Sequence, residues 1–404
     1  MISVEEARRR ILAAFSPLAP ETVSLVDAFG RVLAEDVVAR VTQPPVAVSA
    51  MDGYAVRAAD VVKIPVTLRQ IGVAPAGKAF AGAVGPGECV RIFTGGPVPA
   101  GADAIVIQED AESDGERVAI RESAAAGHYV RPAGLDFSAG EVGLSAGRTL
   151  SARDVGFAAA MNRPWLKVRR RPRVAIVSTG DEIVLPGDPV GPSQIVSSNG
   201  PALAAFVQAC GGEPIHLGVV PDSLDAIRAI ADGARGADLL VTSGGVSVGE
   251  HDLVRPALET RGLAVDFWQI AMRPGKPLMF GRIGDTAVLG LPGNPVSSLV
   301  CALIFLEPAL ARMLGRADTD GRHAMAILGA DLPANDRRQD YLRATLWRDA
   351  AGRMVATPFA KQDSSMLSLL AKADCLVLRP PHVPATKAGA TVDIIEFPRT
   401  SGAI

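Results

Sequence analysis

The chain has 404 residues, with 41 Lys plus Arg against 43 Asp plus Glu, so it is long enough for about two to four domains and is close to neutral. Near neutrality argues against bulk binding of nucleic acid, which calls for a strong basic excess. Cys89, Cys210, Cys301 and Cys375 lie far apart with no CxxC pair, and the five histidines form no HExxH; a zinc site and a disulfide framework are disfavoured, and a reducing cytoplasmic compartment fits.

At the N-terminus, Ser3-Val4-Glu5-Glu6 predicts a capping box ahead of Ala7, Ile11, Leu12 and Phe15 at helical spacing. Acidic residues stand where a secretory leader needs positive charge, so no signal peptide is expected. An apolar stretch, Asp36 to Val41, ends at the break Gln43-Pro44-Pro45. In Ser49-Ala50-Met51-Asp52-Gly53-Tyr54, Asp-Gly signals a turn before a strand, and Asp52 by itself reads as a turn former. From 60 to 140 short apolar runs such as Ile64 to Leu68 and Ala104 to Ile107 alternate with Gly and Pro, which predicts a small all-β domain. Within it a strand ends in Thr94-Gly95-Gly96-Pro97, a loop with exposed N–H groups and a hydroxyl; alone it reads as a plain loop.

A helix capped by Ser151 is expected to run to about Met161. The basic run Lys167, Arg169, Arg170, Arg171 and Arg173 reads as a solvated linker before a new domain. There an α/β pattern begins. The strand Val174 to Val177 ends in Ser178-Thr179-Gly180-Asp181-Glu182. A helix opens at Asn199-Gly200-Pro201 and closes at Gly211-Gly212. The strand Ile215 to Val220 ends in Pro221-Asp222-Ser223, and the helix Leu224 to Ala234 follows. The strand Ala237 to Thr242 breaks into Ser243-Gly244-Gly245-Val246-Ser247-Val248-Gly249-Glu250-His251-Asp252. Strands alternating with helices imply a parallel sheet, whose C-terminal edge is where ligands bind.

Two glycine loops belong to that edge, the one after Ser243 and Pro292-Gly293-Asn294-Pro295. Between them lies the basic turn Arg273-Pro274-Gly275-Lys276-Pro277. Glu182, Asp222 and Asp252 each follow a strand; singly each is a cap or turn residue, together they make a Mg²⁺ site plausible. The set points to phosphate, a divalent cation and a second anion. Val296 to Leu306 reads as a buried core helix, too short for a bilayer and ending at Glu307-Pro308. Beyond Gly315, strands at Tyr341 to Leu346, Met354 to Thr357, Cys375 to Leu378 and Val392 to Phe397 predict a small β domain. Asp349 to Gly352 forms its hairpin turn, and a helix from Ser365 to Lys372 interrupts it.

Six motifs occur in order: Ser49-Ala50-Met51-Asp52-Gly53-Tyr54-Ala55, Thr94-Gly95-Gly96-Pro97-Val98-Pro99, Ser178-Thr179-Gly180-Asp181-Glu182, Ser243 to Gly249, Pro274-Gly275-Lys276-Pro277 and Leu291-Pro292-Gly293-Asn294-Pro295-Val296-Ser297. In these, over nearly its whole length, the chain resembles the molybdopterin molybdenumtransferase family, related to the E domain of gephyrin. The resemblance implies a multidomain α/β plus β fold. Its expected parts are an elongated domain I (1–44 and 141–170), an inserted β domain II (45–140), a doubly wound molybdopterin-binding-type α/β domain III (171–318) and a C-terminal β-barrel domain IV (319–404). It implies that adenylylated molybdopterin and molybdate are converted, with Mg²⁺, to molybdenum cofactor and AMP by a cytoplasmic homodimer with a shared site. Other proteins of cofactor biosynthesis are possible partners, and neither nucleic acid nor membrane is expected.

Carried over by position, Asp52, Thr94, Glu182, Asp222 and Asp252 match catalytic positions, the last three as metal ligands. Ser243, Gly244, Gly245, Ser247, Lys276, Pro292, Asn294 and Pro295 match the substrate-binding loops. Arg273 stands where some members have Lys, keeping the charge but offering a planar fork. Molybdate, a tetrahedral dianion, calls for donors such as Arg273, Lys276 and loop amides. No Ser-His-Asp or Cys-His pairing is evident, so no covalent enzyme intermediate is expected. The dithiolene sulfurs of the pterin would bind the metal. A non-catalytic pterin-binding scaffold, and a nucleotide hydrolase or adenylyltransferase on the same α/β domain, are the alternatives.

Overall fold

The apolar strands predicted at the middle of the chain lie side by side and seed the largest core. The computed structural model describes residues 1–245, 253–317 and 322–397. In it Arg173–Thr179 sits between Glu213–Val220 and Leu239–Ser243 in a six-stranded sheet, continued by Thr286–Leu291, Met279–Ile283 and Leu263–Trp268. The first four strands are parallel. Met279–Ile283 is antiparallel to both its neighbours, so the expected all-parallel sheet needs correcting on this side. The cause is local: only Gly284-Asp285 separates it from Thr286–Leu291, and a two-residue connection can make only a hairpin.

Alternation along the central strands serves two faces. Val174, Ile176, Leu239 and Val241 pack with Leu203 and Val207 of the helix Asn199–Ala209 and with Val4, Ala7 and Ile11 of the N-terminal helix. Ala175, Val177 and Leu240 pack on the other face with Ile227 and Ile230 of Leu224–Gly233 and with Val254, Ala257 and Leu258. Burial on both faces is why these strands are continuously apolar. The N-terminal helix Val4–Ala13 is capped by Ser3, but the expected reciprocal half of the box is missing: Glu6 turns instead to Arg9 and Arg10.

The helix opening at Pro295 does not stop at Glu307-Pro308. It runs on through a π turn, Ala302–Leu306, into Glu307–Leu314, giving 20 helical residues that end at left-handed Gly315. The wider π turn lies just before Pro308 and over the carbonyl with which its ring would clash in a regular helix. By length and composition the segment could cross a bilayer; most of it is buried inside the protein, against the sheet and the barrel.

Antiparallel pairing of Pro20–Ser24 with Trp165–Arg169 joins two distant chain segments around Leu33, Phe137, Leu150, Met161 and Val168. Between them in sequence lies a second six-stranded sheet, with strands in the order Ala104–Ile107, Gly53–Val56, Glu88–Ile92, Val66–Ala74, Arg117–Ile120 and Ala111–Ser113. The basic run after 166 is not a solvated linker. Lys167 pairs with Glu35, Arg169 donates to the Leu18 carbonyl, and Arg170 forms a two-pronged pair with Asp238 at 2.7 and 2.6 Å. The first two contacts lie within the elongated part, and Arg170 ties that part to the α/β domain.

The C-terminal strands Gln339–Arg348, Met354–Pro358, His323–Leu328, Thr391–Glu396 and Cys375–Arg379 pair in that order, and the last returns to the first, closing a five-stranded barrel. His323–Leu328 went unpredicted; His-Ala-Met-Ala carries no β-branched signal, and barrel closure makes it a strand. Met272–Arg273 pairs with Gln339 and Asp340, tying the basic turn of the α/β domain directly to the barrel.

Candidate active site

The C-terminal ends of the parallel strands open into a cleft of about 1040 Å³, walled on the far side by the barrel. Its floor is made by the glycine loops. Gly244 has φ +98°, and a β-carbon there would sit 2.7 Å from the Thr179 carbonyl oxygen, so only glycine allows the turn. Gly244 N–H donates to the Leu291 carbonyl at 3.1 Å. Asn199 Nδ2 donates to Ser243 Oγ at 2.8 Å and to the Gly293 carbonyl at 2.7 Å, stitching the two loops together. Ser178 Oγ, Thr179 Oγ1 and Asn199 Oδ1 are buried polar atoms with no partner among the described residues, all on residues lining the cleft. Buried polar atoms are normally paired, so these three mark where a polar ligand fits.

Glu182 and Asp222 line the cleft, and Gly180 makes room for the first: a β-carbon on it would lie 2.6 Å from Glu182 Oε2. The Asp222 N–H is held at 3.0 Å by Asp181 Oδ1. The third expected carboxylate, Asp252, and also Ser247, lie outside the described residues. Among the described residues no group of three His, Cys, Asp or Glu is gathered as a metal cluster. Glu182, Asp222 and Thr179 all line the cleft, and their hard oxygen atoms are of the kind that could hold Mg²⁺, which keeps water and phosphate oxygens for its other positions.

Three cations, Lys276, Arg273 and Arg338, also line the cleft, the last contributed by the barrel. Arg273 is committed elsewhere: it pairs with Asp340, and donates to Asp336 Oδ2 at 3.3 Å and to Asn335 Oδ1 at 3.2 Å. Arg338 shares Asp336, at 2.9 Å, and this hydrogen bond first of all holds the Asp336 carboxyl down to about 2. Pro292, Asn294 and Pro295 line the cleft where the long helix begins. Asn294 Nδ2 donates to Ser364 Oγ at 3.0 Å and Val296 N–H to the Ser364 carbonyl at 3.1 Å, so a barrel segment is fastened to the helix start. That segment, Gln362-Asp363-Ser364-Ser365, completes the cleft.

Asp52 and Thr94 meet each other but not this cleft. Asp52 Oδ1 accepts from Thr94 N–H and Thr94 Oγ1, both at 2.7 Å; the backbone bond first, then the hydroxyl, hold the carboxyl below its usual range. Arg91 steadies the pair. Its guanidinium lies 5.0 Å from the ring centres of both Tyr54 and Phe93 and donates to the Gly53 carbonyl at 3.2 Å. The structure thus gathers Glu182, Asp222, Ser243, Gly244, Gly245, Arg273, Lys276, Pro292, Asn294 and Pro295 in one cleft and sets Asp52 and Thr94 apart in the inserted β domain. The sequence reading missed Ser178, Thr179, Asn199, Arg338 and the 362–365 segment. Only the polar run Gln-Asp-Ser-Ser before a short helix could have flagged the last, and it reads equally as a helix cap.

Three family models match in chain order: the MoeA N-terminal region (domain I and II) at residues 2–162, the probable molybdopterin binding domain at 175–312, and the MoeA C-terminal region (domain IV) at 325–397. Molybdopterin molybdenumtransferase 2 of Mycobacterium tuberculosis is 38% identical, over 98% of this chain and 99% of its own. The molybdopterin molybdenumtransferase of Haemophilus influenzae is 33% identical over 98% and 99%. Two crystal structures of the MoeA protein of Pyrococcus horikoshii superpose with TM-scores of 0.86 and 0.84, at 32% and 28% identity; each covers 98% of this chain, and 99% and 100% of the chains solved.

Proposed function

The chain belongs to the MoeA family of molybdopterin molybdenumtransferases, and on that footing we propose that it transfers molybdenum from molybdate to adenylylated molybdopterin, releasing AMP. The observation that carries this is the mixed lining of the cleft. The carboxylates Glu182 and Asp222 and the Ser178 and Thr179 hydroxyls line it together with the cations Lys276 and Arg338, the pairing that a metal-bound phosphate anhydride next to an oxyanion calls for.

In this mechanism Ser243, Gly244 and Gly245, with the helix start at Pro295, hold the phosphates, because loop amides and helix N-termini favour anions. Glu182, Asp222 and the Thr179 hydroxyl would hold Mg²⁺, which offsets charge developing on the phosphate oxygens as the anhydride breaks. Lys276 and Arg338 carry the positive charge for molybdate, with the Ser364 and Ser365 hydroxyls beside them. Arg273, already paired to the barrel, supports the turn that bears Lys276. Asp52 and Thr94 act from the inserted β domain of a second subunit in a homodimer. Four buried free cysteines fit a reducing, cytoplasmic setting.

The test is AMP release from adenylylated molybdopterin by the purified protein, with and without molybdate, while molybdenum bound to pterin is measured. Release coupled one-to-one to molybdenum transfer is expected. Release with no molybdenum transferred would favour the nucleotide hydrolase, and no release at all the scaffold; full-length similarity to relatives named as transferases favours neither.

A further inference from the structure

The loop that presents Thr94 also presents a ring. Phe93 is 37% exposed, on a backbone fixed at both ends: its N–H donates to the Ala74 carbonyl at 3.3 Å, and its carbonyl accepts from Gly96 N–H at 2.8 Å. The Arg91 guanidinium stacks on the ring, 5.0 Å from its centre, and is itself held by Gln108 Oε1 at 2.6 Å, so the ring has a fixed place beside the Asp52–Thr94 pair. Two more large side chains stand exposed on the same backbone, Met51 next to Asp52 and Tyr129. The Tyr129 carbonyl accepts from Ala50 N–H at 2.8 Å, and the residue holds a left-handed φ of +55°, which is costly for a bulky side chain. Single exposed apolar residues are ordinary, but these three around one carboxylate–hydroxyl pair form a lined surface.

The cleft lacks what this surface supplies. Among the described residues no Phe, Tyr or Trp lines it. Its carboxylates, cations and loop amides can meet phosphate, metal and oxyanion, but none of them offers a flat apolar face. The proposed substrate carries two planar nitrogen heterocycles, a purine and a pterin, and rings of this kind gain from stacking on an aromatic side chain.

We propose that Phe93 is the stacking platform for a planar nitrogen heterocycle of the substrate, the purine of the adenylyl group or the pterin, and that it reaches the cleft together with Asp52 and Thr94. This rests on the transferase reading of the cleft, which requires that pair to meet the substrate.

Steady-state turnover of adenylylated molybdopterin and equilibrium dialysis of AMP against the full-length protein test it, in wild type, Phe93→Leu and Phe93→Trp, with thermal unfolding of each. Phe93→Leu keeps the apolar bulk and loses the ring face. It should raise the KM for adenylylated molybdopterin about tenfold, as loss of one stacked base does, with kcat falling less than about threefold. If the purine is the stacked ring, the AMP Kd rises by the same factor; if the pterin is, the AMP Kd keeps its wild-type value. Phe93→Trp keeps a ring face and should hold KM within about threefold of wild type. A folded Phe93→Leu protein with wild-type KM overturns the proposal. So does a loss confined to kcat, which would mean that the residue only supports Asp52 and Thr94, and so does a Phe93→Trp protein no better than Phe93→Leu. If Phe93→Leu does not fold, Phe93→Trp decides by fluorescence: quenching of its added indole by saturating AMP or substrate, beyond any change in the wild-type protein, supports stacking, and no quenching overturns it. Wild-type protein that neither binds AMP nor turns over substrate overturns the transferase reading itself, a failure distinct from a Phe93 change without effect.

Discussion

The Asp52 carboxylate shows what a single residue can and cannot reveal. From sequence it is a turn former before glycine. In the fold it takes two hydrogen bonds from Thr94, 42 positions on, because antiparallel pairing sets Gly53 opposite Ile92. That register is invisible in either motif alone. Both bonds favour the ionised form, so the folded pKa is depressed. What ionised Asp52 contributes is therefore present above the ordinary carboxylate range and lost as pH falls through the folded value. Thr94→Val removes the hydroxyl bond and keeps the larger backbone one. The acid limb of the rate profile should move to higher pH, partway to the ordinary value, with the alkaline limb unchanged; a superimposable profile would show that Asp52 ionisation does not limit the rate. Glu182 and Asp222 were legible as residues following strands, and the fold brings both to the cleft. Asp222→Asn and Glu182→Gln should each lower Mg²⁺-dependent AMP release about a hundredfold, with unfolding midpoints unchanged. Wild-type turnover in the double variant would remove both from the metal's ligands.

At the scale of elements, alternation and strand–loop–helix order exposed the α/β core, because burial on both faces leaves a continuous apolar signature. Elements fixed by distant partners did not show. The strand His323–Leu328 exists because the barrel closes, and the helix continues past Glu307-Pro308 because a π turn accommodates the proline. Arg273 belongs with these. Its chemistry suggested an oxyanion donor, but the short pairing of Met272–Arg273 with Gln339 and Asp340 brings the guanidinium onto barrel acids. Asp340 is only 7% exposed on its side chain, while Arg273 is 46% exposed, so the pair is half screened. Arg273→Met should destabilise the protein by about 1–2 kcal/mol, less than for a fully buried pair. Asp340→Asn should cost a similar amount, and the double variant little more than either, since both remove one interaction. Urea unfolding of the four proteins measures the cycle. Additive losses would show that the pair is not coupled, leaving Arg273 free to act as a ligand.

At the scale of the molecule, the proposed site residues fall in two places on one chain. The cleft lies between the α/β sheet and the barrel, whereas Asp52 and Thr94 lie in the sheet inserted between the two halves of the elongated part. Exposed apolar residues occur beside both. Ile195 and Val196 rim the cleft yet are 59% and 45% exposed, and Met51 and Phe93 flank the Asp52–Thr94 pair at 39% and 37%. Two such edges gain most by covering each other across a two-fold axis, where the same contact forms twice. In the proposed homodimer each of two sites would draw Asp52 and Thr94 from one subunit and Glu182, Asp222 and Lys276 from the other. Complementation discriminates between shared and separate sites. Asp52→Ala and Asp222→Ala homodimers should both be nearly inactive. In a heterodimer with shared sites, one site carries both lesions and the other neither, so about half the wild-type activity per dimer should return. With separate sites every site keeps one lesion and nothing returns. A purified heterodimer no more active than its parents would therefore exclude the shared site, and would require Asp52 to reach the cleft of its own chain by a movement of the inserted domain.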